Sequence, residues 1–76
     1  MPKLPTVTGP EAIRVFQALG WRVTRITGSH HVLASDSSLL RLSVPVHGNK
    51  ALKQGTLRRL IRDAGLTVEQ FSERLT

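Results

Sequence analysis

The residues best suited to chemistry are three histidines, His30, His31 and His47, and the cations around them. The run Arg25-Ile26-Thr27-Gly28-Ser29-His30-His31 sets a guanidinium and a hydroxyl before a Gly-Ser pair and two imidazoles after it. Glycine at the first central position of a two-residue turn suits a type II′ hairpin. Such a turn pairs Thr27 with His30, Ile26 with His31, Arg25 with Val32 and Thr24 with Leu33, and paired residues point the same way. Arg25, Thr27 and His30 then gather on one face at the turn end. An imidazole beside a guanidinium suits cleavage of an RNA phosphodiester. The imidazole class titrates near neutral pH and can take the 2′-hydroxyl proton. A guanidinium can hold the phosphate and stabilise its developing charge. No metal ion is required.

Straight alternation puts Trp21, Val23, Arg25, Thr27, His30, Val32 and Ala34 on one face, and Arg22, Thr24, Ile26, His31, Leu33 and Ser35 on the other. The first set has more apolar bulk and is the expected core side. His31 is then expected on the open face, and a bulge would exchange these assignments. Adjacent His30 and His31 point to opposite faces of a strand and cannot readily share an ion, so no metal site is expected. A second region, Val44 to Lys50, combines His47, Gly48, Asn49 and Lys50, with Lys53 following. Its backbone N–H groups and cations suit phosphate, although no Gly-Lys-Ser/Thr follows and it is not a Walker loop. The five acids are scattered, and no paired-carboxylate or Ser-His-Asp arrangement stands out.

The elements that position these residues follow from the pattern. Thr8 and Glu11 form a capping box with Pro10 in the first turn, and Ala12, Val15, Phe16 and Leu19 recur at helical spacing up to Gly20. Residues 21–27 and 30–35 read as strands joined at Gly28-Ser29, and residues 39–44 as a third that Pro45 ends. Residues 46–55 read as a loop. Leu57, Leu60, Ile61 and Ala64 mark an amphipathic helix whose other face carries Arg58, Arg59 and Arg62. Its N-terminus, near Gly55-Thr56, can also receive a phosphate. Thr67 and Gln70 cap a last short helix. The order is α-β-β-β-α-α, an α+β two-layer sandwich with a three-stranded antiparallel sheet, which is also the outline of the double-stranded-RNA-binding fold.

Seventy-six residues allow one domain, spanning 1–76, and leave no room for a separate cofactor domain. The net charge of +6 favours a polyanionic partner. It is unevenly spread: residues 1–36 carry +2, residues 37–62 carry +6 with no acid, and residues 63–76 carry −2. A basic block of this kind is the footprint of phosphate binding on one side. There is no cysteine, which rules out disulfides and thiolate-held zinc. No apolar run approaches the roughly 18 residues of a membrane span. The opening Met1-Pro2-Lys3-Leu4-Pro5 has no apolar stretch of the signal-peptide kind. A cytoplasmic protein is the default expectation.

Several stretches together resemble the HicA toxin family of bacterial and archaeal toxin–antitoxin pairs. They are Gly20-Trp21, Arg25, Gly28-Ser29-His30, Val44-Pro45 with His47, Leu52 to Leu57, Ile61 and Ala64-Gly65-Leu66. The resemblance runs from about Leu4 to Leu75. It implies a metal-independent mRNA interferase of double-stranded-RNA-binding-like fold. It also implies that the histidine of Gly-Ser-His, here His30, is catalytic, and that a HicB antitoxin covers the site. The family often has Arg-Gln-x before Gly-Ser-His, whereas Ile26-Thr27 follows Arg25 here. Some relatives place the histidine one position later, at His31. Chain order favours His30, and the expected exposure favours His31.

The expectation is an RNA endonuclease toxin without cofactor or membrane partner, acting on mRNA. His30 is the base, with His31 as a candidate assistant. Arg25, Ser29 and His47 contact RNA, while Lys50, Lys53, Arg58, Arg59 and Arg62 hold RNA or meet an acidic antitoxin. The rivals are a non-catalytic RNA-binding module of similar fold and a subunit whose basic face binds only an acidic protein.

Overall fold

A computed structural model describes residues 3–75. Met1 and Pro2, part of the N-terminal run considered above, lie outside the described residues. The first helix, α1 (Gly9–Ala18), opens on the expected capping box. Thr8 N–H donates to Glu11 Oε1 at 2.8 Å, and Glu11 N–H donates to Thr8 Oγ1 at 3.3 Å. The Thr8 backbone bond, and then its hydroxyl, hold the Glu11 carboxyl below its ordinary range. Ala12, Ile13, Val15 and Phe16 form the buried stripe of α1.

The strands are β1 (Arg22–Thr27), β2 (His30–Ala34) and β3 (Leu42–Pro45), in sheet order β1-β2-β3, with both pairs antiparallel. Gly28 sits at φ 58°, and among the described residues only glycines take positive φ, as a II′ turn at Gly28-Ser29 requires. Thr27 faces His30, Ile26 faces His31 and Arg25 faces Val32, as the turn predicts. The register then slips. Val23, not Thr24, faces Leu33, and Arg22 faces Ala34. Thr24 is the extra residue of a bulge, and its hydroxyl donates to the Val32 carbonyl at 3.3 Å.

This slip and the third strand overturn the expected faces. Leu33 pairs with Leu42 and His31 with Val44. Leu33, Leu42 and Val44 are fully buried, so the face they share with Val23, Ile26 and His31 is the core side. His30, Val32, Arg25 and Thr27 lie on the open face instead. The first hairpin taken alone looked reversed because straight alternation assigned Val23 to the wrong side. Trp21 is not a strand residue; it precedes β1 and is buried in the core. Residues 39–41 lie outside β3, and Leu39 is 99% exposed. Pro45 does not end the ladder before itself but pairs with His30.

The second helix, α2 (Gln54–Asp63), begins just ahead of its expected start and buries Leu57, Leu60 and Ile61. The third, α3 (Val68–Glu73), has the Thr67–Gln70 capping box and buries Phe71. Phe71 meets Phe16 of α1 with ring centroids 5.4 Å apart. Both α1 and α2 pack against β3. The result is a helix layer on one side of an open three-stranded sheet, the α+β outline consistent with a double-stranded-RNA-binding-like fold. An unexpected tie joins the N-terminal segment to the loop before α2. Thr8 bridges Ala51, and Leu52 N–H donates to the Val7 carbonyl at 2.8 Å.

Candidate active site

His30 occupies the first position of the central strand, directly between Thr27 on β1 and Pro45 on β3. Paired residues share a face, so all three side chains rise from the open side of the sheet. Arg25 stands diagonally from His30 on that face, a spacing long side chains can bridge. Its Nε–H donates to Thr27 Oγ1 at 3.1 Å, which orients the guanidinium along the strand. The sheet therefore brings together the predicted cation, hydroxyl and imidazole. It places them on the uncovered face, where a large polyanion can approach.

His31 points the other way. It sits between Ile26 and Val44 on the helix side and is half-buried. Its Nδ1 is buried without a hydrogen-bond partner among the described residues. The expectation that exposure would favour His31 is thus reversed, since His30 is the exposed ring. The two histidines do point to opposite faces. Among the described residues, no three His, Asp or Glu side chains gather around a common point.

Ser29 completes the turn. Its carbonyl accepts from Val46 N–H, extending the β2–β3 pairing past Pro45. After Val46 the chain makes a second tight turn, with Gly48 at φ 58° and Lys50 N–H donating to the His47 carbonyl at 3.0 Å. That turn brings His47 and Lys50 to one rim. Behind it lies an open cavity of about 340 Å³ bounded by Pro45, His47, Lys50, Ala51, Leu52, Lys53 and Thr56. Lys53 caps α2 without a side-chain hydrogen bond, and the first turn of α2 holds no acid.

Arg58, Arg59 and Arg62 are exposed. They lie on α2 away from its buried Leu57, Leu60 and Ile61, which face the sheet. Helical geometry turns Arg59 and Arg62 to the outer side of the helix layer. The basic block that is continuous in sequence is therefore divided between two surfaces.

The sequence pattern did not single out Gly9. A Cβ at this position would collide with the Pro45 carbonyl oxygen and crowd Val46. Gly9 thus lets the start of α1 press against the end of β3, next to His30. Its residue type is the only hint the sequence offers.

No helix among the described residues is long and apolar enough to cross a membrane. No curated protein sequence matches the chain significantly. A family model for the HicA toxin of bacterial toxin–antitoxin systems matches residues 9–66, which includes the hairpin, His30, the cavity loop and all of α2. The chain belongs to the HicA toxin family and is the toxin component of a toxin–antitoxin system.

Proposed function

We propose that the protein is a single-domain, metal-independent mRNA interferase acting in the cytoplasm, and that a HicB-type antitoxin neutralises it. The observation that carries this reading is the exposed His30 flanked by Thr27 and Arg25 on the uncovered sheet face. The His30 imidazole takes the proton of a ribose 2′-hydroxyl. The 2′-oxygen then attacks the adjacent phosphorus, the bond to the 5′-oxygen breaks, and that oxygen collects a proton from solvent. The product end is a 2′,3′-cyclic phosphate. Arg25, already aligned by Thr27, stabilises the charge that builds on the phosphate oxygens. Ser29, His47, Lys50 and Lys53 contact the strand on either side. His31, turned into the helix side, takes no part in the proton transfer.

Arg58, Arg59 and Arg62 raise the local concentration of RNA through their field and give an acidic antitoxin a second place to grip. The antitoxin competes with RNA by covering the open face around His30.

Purified protein incubated with RNA in excess EDTA tests the reading. Cleavage to cyclic-phosphate ends, abolished by His30→Ala in a protein that still folds, is the expected result. RNA binding with a steep salt dependence but no cleavage would establish the rival, a non-catalytic RNA-binding module. No RNA binding at any salt would leave only an acidic protein partner.

A further inference from the structure

The cavity beside Pro45 has a composition that the hairpin chemistry does not use. Pro45 and the largely buried Leu52 give it apolar walls, and His47, Lys50 and Lys53 give it a basic rim. Its volume, about 340 Å³, is near the lower end of the roughly 300–1,000 Å³ typical of small-molecule sites. That is room for one small ligand, not for a duplex.

The walls are anchored from outside. Pro45 is held by its pairing with His30 and by the close approach that Gly9 permits. The Ala51–Leu52 wall is held by the Thr8 bridge and the Val7 carbonyl. The His47–Lys50 turn fixes the rim. A cavity tied at three places is ready before its ligand arrives, so little ordering cost falls on binding.

Position decides the ligand. Pro45 is shared: it lines the cavity and is the strand partner of His30. Whatever fills the cavity is therefore the neighbour of whatever lies on His30. We infer that the cavity receives one unpaired ribonucleotide of the RNA, next to the scissile phosphate. The base lies against Pro45 and Leu52, and its phosphate meets Lys50 and Lys53. This rests on the RNA-cleavage reading and adds to it a subsite beside the reacting phosphate, for one nucleotide turned out of the stack. Apolar surface suits the faces of a base, and ammonium groups suit its phosphate.

The test uses adenosine 3′-monophosphate and uridine 3′-monophosphate, with inorganic phosphate as a separate arm. These are titrated into the whole protein, in wild-type and His30→Ala forms, and followed by backbone amide NMR. The expected result is saturable shifts at Ala51, Leu52 and Lys53 with either nucleotide in both forms, and at least tenfold weaker binding of phosphate alone. The paired change Lys50→Gln and Lys53→Gln should weaken nucleotide binding while the melting temperature holds. Ala51→Trp, at an exposed position on the cavity wall, should fill the space. It should lower kcat/KM on single-stranded RNA by about tenfold, the scale of losing one stacked base.

Phosphate binding as tightly as either nucleotide would overturn the proposal, because the site would then be a bare anion site. So would wild-type cleavage by a folded Ala51→Trp protein, or shifts confined to other surfaces. Nucleotide binding in the cavity of a protein that never cuts RNA would overturn the cleavage reading and leave the cavity assignment standing.

Discussion

At the residue scale, the adjacent histidines are separated by which side of one strand each occupies. His30 has solvent and Arg25 on its face; His31 has Val44 and a buried Nδ1 without a partner among the described residues. An unsatisfied buried polar atom costs about 1–3 kcal/mol. His31→Leu should therefore raise the melting temperature and leave RNA cleavage and growth arrest intact. His30→Ala should instead leave thermal stability unchanged and abolish cleavage. Loss of cleavage in His31→Leu with retention in His30→Ala would move the base to His31. Arg25→Gln should lower kcat more than it raises KM, since the guanidinium is assigned to charge that develops only during reaction.

At the element scale, the start of α1 sets the end of β3. Gly9→Ala forces the Pro45–Val46 backbone away from the helix, and overpacking of this kind typically costs about 1–3 kcal/mol. A denaturant melt should show that loss, and cleavage should fall with it because Pro45 pairs with His30. The capping box at the same helix end carries a pH signature. Thr8 holds Glu11 below its ordinary range, so the folded state favours the ionised carboxylate. The associated stability is present above the ordinary glutamate pKa, about 4.3, and is lost as pH falls through the lower folded value. Glu11→Gln should therefore melt earlier than the natural protein at neutral pH, and the two curves should converge on acidification. Curves that stay parallel through that range would mean the carboxylate charge plays no part in the cap.

At the scale of the whole molecule, the division of basic charge between two surfaces gives the two groups separable effects. Arg59 and Arg62 face outward from the helix layer, and Lys50 and Lys53 rim the cavity beside the sheet. Arg59→Gln with Arg62→Gln should weaken RNA binding and flatten its salt dependence, by up to about 0.7 in log–log slope for each phosphate left without its arginine. The rate at saturating RNA should stay near the natural value. The same pair should weaken an acidic antitoxin if that partner also grips the helix layer. Titration across salt concentrations, with the turnover rate measured in parallel, checks both statements.

The element order, the two capping boxes, the II′ turn and the pairing of Thr27 with His30 were legible in the sequence, because each depends on residues a few positions apart. So was the meeting of Arg25, Thr27 and His30, which the turn alone enforces. The HicA resemblance was legible through Gly28-Ser29-His30 and the start of the basic helix, and the family match bears it out. Which face of the sheet was buried was not legible. That depended on the bulge at Thr24 and on Leu42 and Val44 arriving from a third strand. The cavity was likewise hidden, because its walls come from segments that only tertiary contacts with Val7, Thr8 and Gly9 hold in place. Local hydrogen-bonding chemistry is written in short runs of residues. Burial is a property of what the rest of the chain places on top of them.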